Sequence, residues 1–141
     1  MKTVLLVEDT EDDVFFLKRA LRDAEIKNPL QVVVDGQQAL DYLDGKGEYA
    51  DREKYPLPFL ILLDLKLPYV MGLDVLKWIR ARADFETILV VVLTSSQQDS
   101  DITATYRLGG NSYLIKPPNR EKLKDLIKSL GEYWNPHYER K

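Results

Sequence analysis

Hydrophobic residues along the chain follow two alternating patterns. Short runs of aliphatic and β-branched residues alternate five times with longer stretches in which apolar residues recur every three or four positions. The short runs predict strands and the longer stretches predict amphipathic helices. The predicted strands cover residues 3–7, 30–34, 59–63, 88–93 and 112–115.

The apolar stripes predict helices at residues 11–24, 73–83 and 120–133, and weaker patterns indicate two more at 37–43 and 98–108. We expect the last helix to end before Pro136. Three of the strands are nearly continuous apolar runs, which is typical of central parallel strands covered by helices on both faces. The alternation therefore predicts an α/β fold, a doubly wound five-stranded parallel sheet with helices on both sides.

Length and composition favour one globular domain. The 141 residues are 45% hydrophobic and 30% charged, and we assign about 3–130 to the core and 131–141 to a C-terminal extension. The chain has no cysteine, which excludes disulfides, thiolate zinc sites and cysteine nucleophiles. The first apolar run is too short for a signal-peptide core or a membrane span, so we expect a cytoplasmic protein. A net charge of −3 argues against direct nucleic-acid binding.

Polar residues follow several of the predicted strands. In sheets of this kind, ligands bind outside the carboxyl ends of the strands. Each residue alone has an ordinary explanation, because acids favour a helix N-terminus, hydroxyls cap helices and lysines usually lie on the surface. Asp12 and Asp13, already inside the first helix, are assigned to that ordinary group. The residues at the strand ends are Glu8, Asp9, Asp64, Thr94 and Lys116.

The combination predicts a specific chemistry. Three carboxylates held in one cleft repel one another unless a cation lies among them. Hard oxygen ligands favour Mg²⁺, with Mn²⁺ as the alternative. An aspartate such as Asp64 can act as a nucleophile and form an aspartyl phosphate. A cation and a lysine can then neutralise charge on a transferring phosphoryl group.

With these residues assembled, the sequence resembles the receiver domains of response regulators in two-component signalling, which are CheY-like proteins. The resemblance covers roughly residues 3–130 and implies the flavodoxin-like strand order 2-1-3-4-5. As a set in chain order its markers are specific. They are Glu8-Asp9, Asp64, Pro68, Gly72, Thr94, Tyr113 and Lys116-Pro117.

The resemblance implies a role for each acidic residue. Asp64 would be the phosphoacceptor and also a metal ligand, with Asp9 binding Mg²⁺ directly. Glu8 would bind through water, and the backbone carbonyl of Lys66 would be a further ligand. Glu8 departs from the aspartate that is common at its position. Lys66 lies two residues beyond the nucleophile, where it could affect how readily water attacks the phosphoryl group.

The resemblance also implies a conformational switch. Lys116 would contact the phosphoryl oxygens, ahead of a cis peptide to Pro117. The hydroxyl of Thr94 would turn towards the phosphoryl group, and Tyr113 would turn inwards as that hydroxyl leaves its earlier place. Such coupling is a population shift between two packings. Without Thr94, Tyr113 would be read as an ordinary aromatic residue on an edge strand.

The resemblance implies two partners, a sensor histidine kinase and an unknown downstream protein. The long segment 44–58 resembles that of regulators that serve phytochrome-type kinases. The resemblance implies a homodimer through the fourth helix, fifth strand and fifth helix. Tyr133 and Trp134 would add apolar contacts there, or would pack within the molecule instead. We expect the chain to catalyse only its own phosphorylation and dephosphorylation.

Three other functions remain as alternatives. A degenerate receiver would act as an interaction module without phosphorylation. An aspartate-nucleophile phosphatase of the haloacid dehalogenase type would need a second aspartate where this chain has Lys66. A flavin carrier would need a phosphate-binding first loop, whereas the acids of residues 8–13 would repel a phosphate.

Overall fold

The computed structural model describes the backbone of residues 2–138 and the side chains of residues 2–133. Within this part of the chain, five strands alternate with five α-helices, as the hydrophobic pattern predicts. The elements are β1 (Val4–Val7), α1 (Glu11–Asp23), β2 (Leu30–Val33), α2 (Gly36–Asp44), β3 (Leu60–Leu63), α3 (Gly72–Arg80), β4 (Leu89–Thr94), α4 (Asp99–Arg107), β5 (Ser112–Ile115) and α5 (Arg120–Tyr138).

The sheet is parallel throughout and has the strand order β2-β1-β3-β4-β5, which confirms the expected fold class. The chain winds from β1 outwards to β2, and then crosses back to β3 and continues to β5. The direction of winding therefore reverses between β1 and β3. Ligand sites of open α/β sheets lie at such a reversal, outside the carboxyl ends of the strands.

The central strands β1, β3 and β4 are covered on both faces, which is why their sequences are almost continuously apolar. Side chains alternate along β1, so that Leu5 and Val7 belong to one core and Val4 and Leu6 to the other. The first core packs under α2 and α3, and the second packs under α1 and α5. Both cores together fix the sheet and hold its carboxyl edge in place.

The polar segment between α2 and β3 is folded against the domain. It contains a short 3₁₀ helix at Gly47–Ala50. Tyr42 of α2 is fully buried and donates a hydrogen bond of 2.7 Å to the carbonyl of Pro56. Arg52 donates to the carbonyls of Tyr42 and Leu43, both at 2.8 Å, and so satisfies acceptors that the end of α2 leaves free.

The expected end of the last helix was wrong, because α5 continues past Pro136 to Tyr138. Proline lacks an N–H group but has a φ angle that suits a helix, so near a helix end it removes one hydrogen bond without terminating the helix. No helix within residues 2–138 combines the length and the hydropathy that crossing a bilayer requires.

Gly72 begins α3 and lies against the residue that follows β3. Its N–H donates to the carbonyl of Leu65 at 2.9 Å. A Cβ atom at this position would lie 2.3 Å from the carbonyl oxygen of Asp64 and 2.5 Å from the Cα of Leu65. Both are backbone atoms that cannot rotate away, so only glycine allows this approach.

We predict that Gly72→Ala destabilises the protein by about 2 to 3 kcal/mol and displaces Asp64, because the backbone must shift to admit the methyl group. Chemical denaturation measures the free energy of unfolding. Gly47→Ala is the control, because a Cβ there meets no atom within 4 Å, although its φ of 59° is unfavourable for alanine. Wild-type stability in Gly72→Ala would contradict the prediction.

Candidate functional site

The structure brings the polar residues of four strand ends together at the carboxyl edge of the sheet. Glu8 follows β1, Asp64 follows β3, Thr94 ends β4 and Lys116 follows β5. Parallel pairing sets Val7 level with Leu63. The neighbouring strands continue this register, so the side chains that follow the strand ends are drawn into one cleft.

Three carboxylates form the acidic part of the cleft. Glu8, Asp9 and Asp64 each offer one oxygen, and these oxygens lie within 4.8 Å of one another. Glu8 is 1% exposed and Asp64 is 8% exposed, whereas Asp9 is open to solvent. Two buried carboxylates so close together are costly unless positive charge balances them.

Lys116 supplies positive charge at the centre of the cleft. Its ammonium nitrogen lies 2.6 Å from Glu8 Oε1, 2.9 Å from Asp13 Oδ2 and 3.0 Å from Asp64 Oδ2. An ammonium group has three N–H donors, and here each of them is directed to a carboxylate. Charge-assisted bonds of this length are strong in a partly desolvated cleft.

The ammonium group affects the two buried acids unequally. Burial raises the pKa of Glu8 to about 7, because desolvation outweighs the hydrogen bond from Lys116. Burial also acts to raise the pKa of Asp64, but the charge and hydrogen bond of Lys116 and the hydroxyl of Thr94 hold it below its ordinary value. Burial lowers the pKa of Lys116, yet its carboxylate partners raise it above the usual value. Asp64 is therefore the acid that stays ionised at neutral pH.

The hydroxyl side of the cleft continues into the loop after β4. Thr94 is fully buried, and its Oγ1 accepts a hydrogen bond of 3.4 Å from the N–H of Ser96. The hydroxyl of Tyr113 donates to the carbonyl of Ser96 at 2.9 Å. Ser96 in turn donates from its own hydroxyl to Asp101 at 2.6 Å. A chain of contacts thus joins the cleft to the start of α4.

Two residues of this region were missed by the sequence reasoning. The sequence accounts for Asp13 by the helix dipole alone, but in the structure Asp13 also contacts Lys116. Asp13 lies in the first turn of α1, where acids are common because of the helix dipole, so no sequence signal indicated this contact. Ser96 gave no signal, because its carbonyl becomes an acceptor only through the packing of Tyr113.

Two further expectations concern the backbone beside the site. The peptide bond between Lys116 and Pro117 is trans, so the expected cis bond was wrong. The trans form is favoured by only about 0.5 to 1 kcal/mol before proline, and sequence alone does not decide the isomer. The N–H of Lys66 donates to Asp64 Oδ1 at 3.3 Å, while the role of its carbonyl as a ligand stays a prediction.

The donor set fits a hard divalent cation. Three carboxylates with close oxygen atoms face one ammonium group, so the cleft retains negative charge after Lys116 is counted. Mg²⁺ prefers a small number of carboxylates at sites that also admit water or phosphate oxygens. Soft metals prefer sulfur or imidazole ligands, and none occurs in this group.

The family follows from a comparison with known sequences. The response regulator receiver domain matches residues 4–128. The chain belongs to this family. Rcp1 of Synechocystis sp. is 38% identical over 133 residues, which cover 94% of this chain and 88% of Rcp1. The probable methanogenesis regulatory protein FilR2 of Methanothrix harundinacea is 39% identical over 93% of this chain and 82% of its own length.

Solved structures of receiver domains agree with the fold. The crystal structure of the Mn²⁺-bound form of Rcp1 is similar to this chain with a TM-score of 0.86, at 38% identity, over 95% of this chain and 94% of the other. The phosphorylated cyanobacterial phytochrome response regulator RcpA has a TM-score of 0.87 at 37% identity, over 94% and 93% of the two chains. The receiver fold of this chain is therefore established.

We predict that protonation of Glu8 makes the free energy of unfolding of the metal-free receiver domain depend on pH. Its pKa is higher in the folded state, about 7, than the ordinary 4.5, so folding favours the protonated acid. The contribution of Glu8 to the free energy of unfolding is fully present below about pH 4.5 and is lost as pH rises towards 7, with a magnitude on the order of 3 kcal/mol.

Denaturation of wild type and Glu8→Gln in EDTA, at half-unit steps from pH 4 to 8, checks this prediction. The amide cannot ionise, so the difference in unfolding free energy between the two proteins isolates Glu8. Wild type should lose stability relative to the variant between pH 4.5 and 7. Parallel curves for the two proteins would contradict it.

Proposed function

We propose that this receiver domain accepts a phosphoryl group on Asp64 from a sensor histidine kinase, with Mg²⁺ or Mn²⁺ bound, and signals by a phosphorylation-driven conformational switch. The position of Asp64 carries the proposal. It is a nearly buried carboxylate held ionised 3.0 Å from the ammonium of Lys116. It also lies beside two further acids that could share a cation, Glu8 and Asp9.

The reaction assigns a task to each neighbour of Asp64. One carboxylate oxygen of Asp64 attacks phosphorus, and the bond from phosphorus to the donor nitrogen or oxygen breaks, so that the donor leaves with the electron pair. Lys116 is close enough to contact an oxygen of the transferred group. Thr94, at the floor of the cleft, can offer its hydroxyl to another oxygen.

The cation would be held by the carboxylates of Glu8, Asp9 and Asp64 and by the backbone carbonyl of Lys66. When bound, it neutralises charge on the phosphoryl oxygens and aligns them with the nucleophile. Two observations support this part of the proposal: the close oxygens of the acidic group, and the Mn²⁺ bound to the relative Rcp1.

The switch would run from Thr94 to Tyr113. In this structure the Tyr113 hydroxyl is bonded to Ser96, whose N–H is bonded to Thr94 Oγ1. Movement of the Thr94 hydroxyl towards a phosphoryl group would break its hydrogen bond with the N–H of Ser96. The loop that contains Ser96, and with it the acceptor of the Tyr113 hydroxyl, would then shift. The surface of α4 and β5 would then differ between the two states.

The proposed phosphodonor is a phytochrome-type sensor histidine kinase. The support is the similarity to RcpA, a phytochrome response regulator whose structure is of the phosphorylated form. The downstream partner would be a protein, since a net charge of −3 offers nucleic acid no general attraction. We further propose that residues 1–141 act as one receiver domain in the cytoplasm.

The alternative functions have less support. A degenerate receiver would lack part of the catalytic set, whereas the acceptor, acids, hydroxyl and lysine all converge here. A phosphatase would need a general acid two residues after Asp64, and Lys66 at that position has an exposed ammonium side chain. The proposed chemistry is therefore limited to the chain's own phosphorylation and dephosphorylation.

We also propose that the protein forms a homodimer through the face built by α4, β5 and α5. Among the described side chains, Tyr106 of α4, Ile115 of β5 and Tyr133 of α5 are large, apolar and exposed. Exposed apolar groups that lie on neighbouring elements favour association. The part of the tail that begins at Trp134 lies outside the described side chains.

We predict that Asp64→Asn abolishes phosphorylation, because an amide is not a nucleophile of this kind. Incubation with radiolabelled acetyl phosphate and MgCl₂ measures incorporation, and phosphotransfer from purified phytochrome-type kinases provides a second donor. Asp12→Asn, a matched change on the exposed side of α1, should be labelled like wild type. Equal labelling of Asp64→Asn and wild type would remove the central assignment.

We predict that Ile115→Lys weakens self-association at least about tenfold, because it places a charge in an apolar contact. Sedimentation velocity with and without beryllofluoride, a phosphoryl mimic, measures the dimer. Phe15→Lys is the control, since Phe15 is an exposed apolar residue of α1 outside the proposed face. If both variants sediment like wild type, the proposed face is wrong.

A further inference from the structure

Lys116 shares its ammonium group among three carboxylates that differ in one respect. Two of them, Glu8 and Asp64, belong to the group of mutually close acids that could hold a cation. The third, Asp13, lies 2.9 Å from the ammonium but is not a member of that group. A cation held by the close acids would therefore leave the contact between Asp13 and Lys116 in place.

A cation and Lys116 compete for the same two acids. The ammonium nitrogen lies 2.6 Å from Glu8 and 3.0 Å from Asp64. A divalent cation bound to the same two acids would repel the ammonium group and weaken these contacts. Lys116 is itself only 13% exposed at the side chain, so solvent cannot replace the lost partners freely. The ammonium needs another acceptor when a cation enters.

Asp13 is built to be that acceptor. It lies in the first turn of α1, whose backbone is fixed by the hydrogen bond from the N–H of Val14 to the carbonyl of Thr10. Its side chain is 39% exposed, compared with 1% for Glu8, so water reaches its carboxylate and its position costs little desolvation. Its contact holds the ammonium at the edge of the cleft, within reach of Asp64.

We propose that Asp13 is a positioning residue for Lys116: it retains the ammonium group when a divalent cation takes over Glu8 and Asp64. This inference rests on the proposed function. Asp13 thereby lowers the free-energy cost of admitting the cation and keeps Lys116 beside the phosphoryl oxygens. It acts through Lys116 and does not touch the reacting atoms.

The test is a double-mutant cycle on Mg²⁺ affinity, measured by calorimetric titration with MgCl₂. Asp13→Asn should weaken Mg²⁺ binding about fivefold or more, because the displaced ammonium then has no carboxylate of its own. Asp12→Asn removes the same charge from the same helical turn and should change affinity less than twofold. In a Lys116→Ala background, Asp13→Asn should also have less than a twofold effect.

Lys116→Met replaces Lys116→Ala if the alanine variant does not fold, since its longer side chain fills the space of the lysine stem. If Asp13→Asn weakens Mg²⁺ binding equally in the presence and absence of Lys116, the charge of Asp13 simply attracts the cation over a distance. That result would overturn the inference. Equal affinities of Asp13→Asn and Asp12→Asn would overturn it as well.

The same experiments separate this inference from the proposed function. If wild type binds no Mg²⁺ at 20 mM and Asp64 is not labelled by acetyl phosphate, both fail together. If wild type binds Mg²⁺ and Asp64→Asn blocks labelling, the proposed function stands, and the cycle alone decides the role of Asp13. A slower phosphorylation rate of Asp13→Asn at limiting Mg²⁺ that saturating Mg²⁺ restores would support the inference.

Discussion

The balance between one ammonium group and a surrounding set of carboxylates is the interaction on which this receiver domain depends. Lys116 contacts three acids within 3.0 Å, and two of them are almost completely buried. Without the lysine or a cation, these acids would repel one another in a poorly solvated cleft. The cleft therefore always requires positive charge. In the proposed chemistry, part of that charge passes from the ammonium group of Lys116 to a bound divalent cation.

The sheet makes this balance possible by its topology. β1 and β3 are neighbours at the point where the winding reverses, so the acids that follow them meet although more than fifty residues separate them. β5 lies at the far edge, yet the long side chain of Lys116 reaches across the strand ends to both acids. The two apolar cores hold the strands in register, and so the distances in the cleft depend on packing far from it.

Burial alone would raise the pKa of both inner acids, yet they behave differently. Glu8 takes up a proton near neutral pH, whereas Asp64 keeps its charge because Lys116, Thr94 and a backbone N–H all stabilise the carboxylate. This asymmetry fits the roles that we propose, with Asp64 as the nucleophile and Glu8 as a metal ligand. The contacts of Thr94 and Ser96 also connect the cleft to Tyr113 and to the start of α4.

The sequence by itself determined the fold class and most of the cleft, because hydrophobic periodicity reports burial and the ends of parallel strands must converge. Asp64 at the end of an apolar strand and Lys116 after the last strand were readable in this way. Tertiary structure alone decided that Asp13 contacts Lys116, that the bond before Pro117 is trans, and that α5 passes Pro136. Each of these depends on small energy differences or on side-chain reach between distant segments, and local sequence does not encode either.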